Sequence, residues 1–210
     1  MPFLKRIGKL FSRKKREPQM EMPPEVREQV EKLKDADAKV RRNAVWMLGC
    51  TKHESAIPIL LKTLRDPDET MRQEAASALG VIGQESVIPH LVKILQRDKV
   101  PNVRWSAAWA LGKIGHESAI PHLVKAFQDR HESVRTNATW AFEQISRSLK
   151  GKTVKGKEAK ALQLVGPHFH ELEELTTMRK AYEAALEGKV TEKNARLFVK
   201  QLRAVKGKVK

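Results

Sequence analysis

Four stretches of this chain are copies of one another, and this repetition constrains the fold more than any other feature. They read DADAKVRRNAVWMLG (35–49), DPDETMRQEAASALG (66–80), DKVPNVRWSAAWALG (98–112) and DRHESVRTNATWAFE (129–143), with starts 31, 32 and 31 residues apart. In each an Asp precedes an Arg by six positions: Asp35/Arg41, Asp66/Arg72, Asp98/Arg104 and Asp129/Arg135. A second half recurs as HESAIPILLKTLR, QESVIPHLVKILQ and HESAIPHLVKAFQ, and PPEVREQVEKLKD (23–35) reads as an unpaired second half. Each unit is expected to be two short helices, with a Gly-containing turn after the first and an Asp-rich turn after the second. One such pair cannot bury its apolar faces alone, whereas stacked pairs build a continuous core. The expected fold class is all-α, an α-solenoid.

The rest of the composition narrows the class. Hydrophobic residues make up 40% of the chain, enough for a core, but aromatics only 5%. A single cysteine, Cys50, excludes an intramolecular disulfide and points to a reducing, cytoplasmic home. No apolar run approaches the ~18–20 residues that cross a bilayer. The charge is uneven. Residues 1–24 carry seven Lys/Arg against two Glu, residues 25–150 carry 20 basic against 16 acidic, and residues 151–210 carry 14 against seven. Most of the net +16 therefore lies in basic ends around a near-balanced body. Such ends suit anionic lipid, nucleic acid or an acidic partner.

The spacing Asp-x5-Arg, then Ala-Ala-x-Ala-Leu-Gly, then Ala-Ile-Pro-x-Leu resembles the short HEAT-like repeat of the phycobilin-lyase type, over about residues 25–148. That family includes bilin lyases, deoxyhypusine hydroxylase and many scaffolds without chemistry. The resemblance implies that the Val-Arg helix lines a concave face and the Ile-Pro helix a convex one. It also implies that the repeated Arg and Asp tie one unit's turn to the next.

Enzyme readings find little purchase. The hydroxylase resemblance would demand His-Glu pairs just after the Val-Arg positions, which here hold Arg42-Asn43, Gln73-Glu74, Trp105-Ser106 and Thr136-Asn137. A di-iron centre needs several converging imidazole and carboxylate ligands. His53-Glu54, His116-Glu117 and His131-Glu132 fall in connecting turns, where they read as polar helix starts with Ser55, Ser86 and Ser118 as capping candidates. His90 and His122 read as convex surface residues, and His168 and His170 lie beyond the repeats. No phosphate loop, nucleophile motif or zinc-spaced Cys/His cluster occurs in the sequence. No catalytic residue, metal or cofactor is expected. A lyase-type enzyme or accessory factor stays open through the resemblance.

The tryptophans carry the binding signal. In SAAWALGKIG, Val103, Ala107, Ala110, Leu111 and Ile114 share one helical stripe and Trp109 points away from it. Trp109 is equivalent to Trp46, Ser77 and Trp140 in the other units, and Trp105 lies one turn before it. All four tryptophans thus belong to the expected concave surface, beside Asn43, Glu74 and Asn137. The arrangement resembles, in position, the tryptophan ladder of armadillo peptide receptors such as importin-α. The ladder's asparagine is here Cys50, Lys113 and Gln144, and Asn43 and Asn137 stand one turn before their tryptophans. At ~10 Å per unit the ladder would span about 30 Å, the length of ~9 extended residues. Indoles attract cations and mark binding hot spots. The expected partner is therefore a protein or peptide segment containing Lys or Arg, unless the chain's own tails or plain packing cover the rings. Nucleic acid is the weaker alternative for a stripe that is not strongly basic.

Residues 1–24 form a basic arm. Phe3, Leu4, Ile7, Leu10 and Phe11 share one helical stripe with Lys5, Arg6 and Lys9 opposite, a pattern suited to an anionic membrane surface or to a protein contact. Residues 149–167 read as a basic linker. Residues 168–210 read as a helical hairpin and basic tail, with Gly188 ending the first helix and Thr191 capping the second. Phe169, Leu172, Leu175, Tyr182 and Leu186 are expected to face Ala195, Phe198, Leu202 and Val205.

Overall fold

The computed structural model describes residues 22–149, 160–163, 166, 175–191 and 195. The described residues hold helices and turns and no strand. Inner helices α2 (Ala38–Cys50), α4 (Glu69–Ile82), α6 (Pro101–Ile114) and α8 (Glu132–Leu149) alternate with outer helices α1 (Pro24–Lys32), α3 (Ile57–Thr63), α5 (Ile88–Arg97) and α7 (Ile120–Ala126). A further helix, α9 (Leu175–Leu186), follows. The chain is an α-solenoid with one buried core running through it. No described helix is long and apolar enough to cross a membrane.

Local chemistry sets the helix starts. Pro58, Pro89 and Pro121 sit in the first turn of α3, α5 and α7, where a missing N–H costs nothing. Asp37 and Asp68 cap α2 and α4 by accepting from Lys39 N–H and Thr70 N–H. Before α3 and α7 the capping groups are His53 and His116, whose Nδ1 accepts from Ser55 N–H and Ser118 N–H at 3.2 Å. The caps expected at Ser55 and Ser118 are thus served by histidine, with each serine hydroxyl 2.8–2.9 Å from the same ring nitrogen. At Ser86 the N-cap residue is Gln84, which makes no side-chain cap bond.

The expected Gly-containing turn follows α4 and α6 at Gly83 and Gly115, and the glycines that close WMLG, SALG and WALG are not turn residues. Gly49, Gly80 and Gly112 lie inside the inner helices. A Cβ on any of them would stand 2.7 Å from the Cα of Ala78, Ala110 or Ala141 on the next inner helix. They are small so that successive inner helices approach to backbone contact. The left-handed residues that end α4 and α6 are Gly83 (φ 79°) and Gly115 (φ 73°).

The repeated arginines hold the units in register. In all four units Arg Nη1 donates to its own turn: Arg41 to the Asp35 carbonyl at 2.7 Å, Arg72 to Asp66 at 3.0 Å, Arg104 to Asp98 at 2.9 Å and Arg135 to Asp129 at 2.9 Å. Arg72 and Arg104 also fork onto the next unit's carboxylate. Arg72 meets Asp98 at 2.8 and 3.1 Å, and Arg104 meets Asp129 at 2.8 and 2.7 Å. Among the described residues Arg41 reaches only its own turn. A second ladder explains the His-Glu and Gln-Glu dipeptides. Gln84 Nε2 donates to Glu54 at 2.8 Å, and His116 Nε2 lies 3.5 Å from Glu85.

Helix α9 closes the far end. Its Met178, Ala181, Tyr182 and Ala185 are buried, and the Tyr182 ring meets Phe142 of α8 edge-on at 5.5 Å. Tyr182 therefore packs on the solenoid. Gly188 (φ 78°) ends α9, and the Ala195 N–H donates to the Thr191 carbonyl at 2.9 Å. Phe198, Leu202 and Val205 lie outside the described residues.

Two predictions follow from this packing. Gly80→Ala and Gly112→Ala gain about 1 kcal/mol of helix propensity. The added Cβ meets rigid backbone, and overpacking costs about 1–3 kcal/mol, so both variants lose stability in urea unfolding. Burial disfavours the charged forms of Asp98 and Asp129. The Arg72 and Arg104 forks and the Val100 and His131 N–H groups outweigh it, so both carboxyls lie below the usual carboxylate range. A lowered folded-state pKa contributes stability that is complete above the unfolded value of about 4 and lost as pH falls through the folded one. Arg104→Ala, which strands a largely buried carboxylate, costs about 3 kcal/mol at neutral pH. The variant also unfolds with a shallower acid limb than the parent, read by circular dichroism across pH.

Candidate functional site: the tryptophan-bearing inner helices

The inner helices carry one buried face each. Ala44, Ala75, Ala107 and Ala138 are fully buried, as are Leu48, Leu79, Leu111 and Phe142. The opposite positions form lanes across the units: Arg42, Gln73, Trp105 and Thr136 in one, and Trp46, Ser77, Trp109 and Trp140 in the next. The four tryptophans do not share one environment. Trp46 is 41% exposed and Trp105 is 38% exposed. Trp109 and Trp140 are half-buried and pack against the core.

The glycine contacts explain this split. A Cβ on Gly80 would lie 3.2 Å from Trp109 Cζ3, and one on Gly112 would lie 2.9 Å from Trp140 Cζ3. Each of these rings lies over the bare glycine of the preceding inner helix. Trp46 has no preceding inner helix among the described residues, so its ring stays open. Ser77 leaves the corresponding place over Gly49 without an indole.

The polar residues divide in the same way. Asn137 is 7% exposed, and its Nδ2 donates to the Trp105 carbonyl at 2.7 Å, tying α8 to α6. Its amide is spent within the fold, so it is not presented to a partner as the sequence led us to expect. Asn43 is exposed on α2. Glu74 on α4 is half-buried and has no ion-pair partner among the described residues. The Lys113 Nζ stands 5.8 Å from the centre of the Trp109 ring. That intramolecular cation was not anticipated, although the i, i+4 spacing of Trp109 and Lys113 was visible. Met47 was also missed: it is 40% exposed where the later units carry Ala78, Ala110 and Ala141.

Helix α4 thus presents the half-buried polar residues Gln73, Glu74 and Ser77, between α2 with its exposed Trp46 and α6 with its exposed Trp105. The described residues contain no group of three or more His, Cys, Asp or Glu side chains placed to hold a metal ion. The arm residues Phe3, Leu4, Lys5, Arg6, Ile7, Lys9, Leu10 and Phe11 lie outside the described residues, as do His168 and His170.

Known proteins agree with the architecture. No curated protein matches the chain. Among solved structures, the complex of CpcE and CpcF of phycocyanin lyase from Nostoc sp. PCC7120 is similar at 21% identity and a TM-score of 0.54, over 79% of this chain and 68% of that one. At that identity the likeness concerns the fold alone. A designed armadillo repeat protein in complex with the peptide (KR)4 aligns at 25% identity and a TM-score of 0.48, over 75% of this chain and 80% of that one. A family model for HEAT repeats matches residues 26–101 and 95–143, more than half of the chain. The chain belongs to the HEAT repeat family.

Proposed function

We propose that this protein is a non-enzymatic adaptor that holds a Lys- or Arg-containing protein segment on its inner helices. The carrying observation is the pairing of exposed indoles with an uncommitted acid. Trp46 and Trp105 stand 41% and 38% exposed on α2 and α6, while Glu74 on the intervening α4 lacks an ion-pair partner among the described residues. Leaving two indoles in water forgoes burial that a partner would recover. A cation above an indole is worth about 0.5–2 kcal/mol, more where water is excluded. Glu74 supplies the complementary charge between them. Trp109 is a poorer rung, because a partner's cation would have to displace Lys113.

The energetics point to modest affinity. Two open indoles and one carboxylate must offset the entropy of fixing a flexible segment, which leaves micromolar binding, about −8 kcal/mol. Extended nonapeptides with Lys or Arg at the centre should quench or shift tryptophan fluorescence saturably, and matched peptides with central Gln should bind more weakly. Trp105→Ala and Glu74→Gln should each weaken binding of the basic peptides about tenfold, or ~1.4 kcal/mol, without changing the unfolding midpoint. Trp140→Ala should instead cost stability, about 2 kcal/mol, because its ring covers Gly112. Equal binding of basic and Gln peptides, or insensitivity to both Trp105→Ala and Glu74→Gln, would remove this reading.

A further inference from the structure

The two ends of the solenoid are built differently. At the far end, α9 covers α8 and brings Tyr182 onto Phe142. At the near end, α2 exposes Asn43, Trp46, Met47 and Cys50, which share one stripe at i, i+3, i+4 and i+7. The equivalent alanines of α4, α6 and α8 (Ala78, Ala110 and Ala141) are fully buried against the preceding inner helix. On α2 that contact face is open, and two large apolar side chains on it, Trp46 and Met47, are 41% and 40% exposed. A second defect lies on α1, the helix that packs on α2. Gln29 of α1 occupies the position held by the fully buried Leu60, Leu91 and Leu123 in the other outer helices. It is 7% exposed, and its Oε1 has no hydrogen-bond partner among the described residues. A buried unsatisfied amide oxygen and an open apolar stripe together mark a face that is completed by something else.

We propose that the occupant is the chain's own N-terminal segment, with Phe3, Leu4, Ile7, Leu10 and Phe11 laid along Trp46 and Met47 to cap the solenoid. Three observations select this occupant. The segment enters α1, which packs on α2, and twelve residues separate Phe11 from Pro24. Twelve residues reach about 40 Å when extended, and a 13-residue helix is only about 20 Å long, so the stripe is within range.

Side-chain size also fits. Met47 at the alanine position prevents the close approach used between the other inner helices. The helix that packs here must stand further off, near the 10 Å end of the usual range, and fill the gap with large side chains. The segment has such residues. One repeat upstream of Ala44 and Gly49 stand Arg13 and Pro18, so it does not supply a fifth unit in the same register. Charge agrees as well: residues 22–37 carry five acidic against three basic residues, facing an arm with a surplus of Lys and Arg. Head-to-tail stacking of a second copy is disfavoured. The last inner helix has Glu143 at the glycine position, bridged to Arg147 at 3.4 Å, and α9 covers that end.

Cys50, the single cysteine, lies exposed on the proposed contact face and reports on it without disturbing the core. In the full chain, Leu4→Cys, Ile7→Cys and Leu10→Cys are introduced one at a time and oxidised at low protein concentration, with Lys9→Cys as the opposite-face control. A docked segment gives at least one monomeric disulfide to Cys50 that forms several-fold faster than with Lys9→Cys, because bridging requires Cα atoms within about 7 Å. In the parent chain, Cys50 reacts with a soluble aromatic disulfide several-fold more slowly than in the Ile7→Glu/Leu10→Glu chain. Equal rates from stripe and control positions, with Cys50 reactivity unchanged by Ile7→Glu/Leu10→Glu, overturn the proposal. Disulfide-linked dimers in place of monomeric bridges overturn it in favour of a second copy. Unchanged Cys50 reactivity, with loss of co-sedimentation on phosphatidylserine-containing vesicles in Ile7→Glu/Leu10→Glu, overturns it in favour of a membrane surface. A docked segment takes Trp46 from the peptide-binding surface and leaves Trp105 and Glu74 to it. None of these readouts uses Glu74 or Trp105, so failure of one reading is distinguishable from failure of the other.

Discussion

The structure depends on how closely one inner helix can approach the next. Gly49, Gly80 and Gly112 remove the side chain that would otherwise hold Ala78, Ala110 and Ala141 away, and the helices meet backbone to backbone. The other ties between units work only at that spacing. The Arg72 and Arg104 forks must span from one turn to the next, and Asn137 must reach the Trp105 carbonyl. A side-chain hydrogen bond fails beyond about 3.5 Å, so widening the stack by one methyl group would strain several of these bonds together. The same approach disposes of two tryptophans, because a bare glycine leaves a shallow seat that the indole edge fills.

This contact also decides where the stack stops. Continuing it requires alanine on the near face and glycine on the far one. The first inner helix has Met47 in place of the alanine, and the last has Glu143 in place of the glycine. Both substitutions block extension in register. A repeat array otherwise exposes at each end the surfaces it uses internally, which invites open-ended association. Here the far end is both blocked and covered, whereas the near end is blocked but leaves Trp46 and Met47 open.

Much of this was legible because the repeats act as an internal alignment. The period, the helix pairs and the Asp-Arg relation were all visible at fixed spacing. What escaped was the meaning of residues with two physical uses. A glycine at the end of an apolar helical pattern is a normal stop signal, yet Gly80 and Gly112 serve interhelical distance while Gly83 and Gly115, three residues later, make the stop. Asn137 and Asn43 occupy equivalent positions, but only Asn137 has an earlier helix whose backbone carbonyl it can reach. A histidine followed two residues later by serine left open which group accepts, and the ring nitrogen takes the role.

Comparison among the units shows where packing dictates the residue and where it does not. Positions buried between helices scarcely vary: alanine at 44, 75, 107 and 138, and leucine or phenylalanine at 48, 79, 111 and 142. The lane of Arg42, Gln73, Trp105 and Thr136 holds four different side chains on the same scaffold position. The core cannot be selecting them, since each points away from it. Trp105 is the clearest case, because its neighbours in the lane are polar and its own ring is left 38% exposed rather than seated on a glycine. A residue that the fold neither needs nor hides is available for a partner. In the proposed adaptor the binding surface lies across α2, α4 and α6, with the open indoles and Glu74, apart from the α6–α8 joint, where Trp140 and Asn137 are already committed to holding the solenoid together.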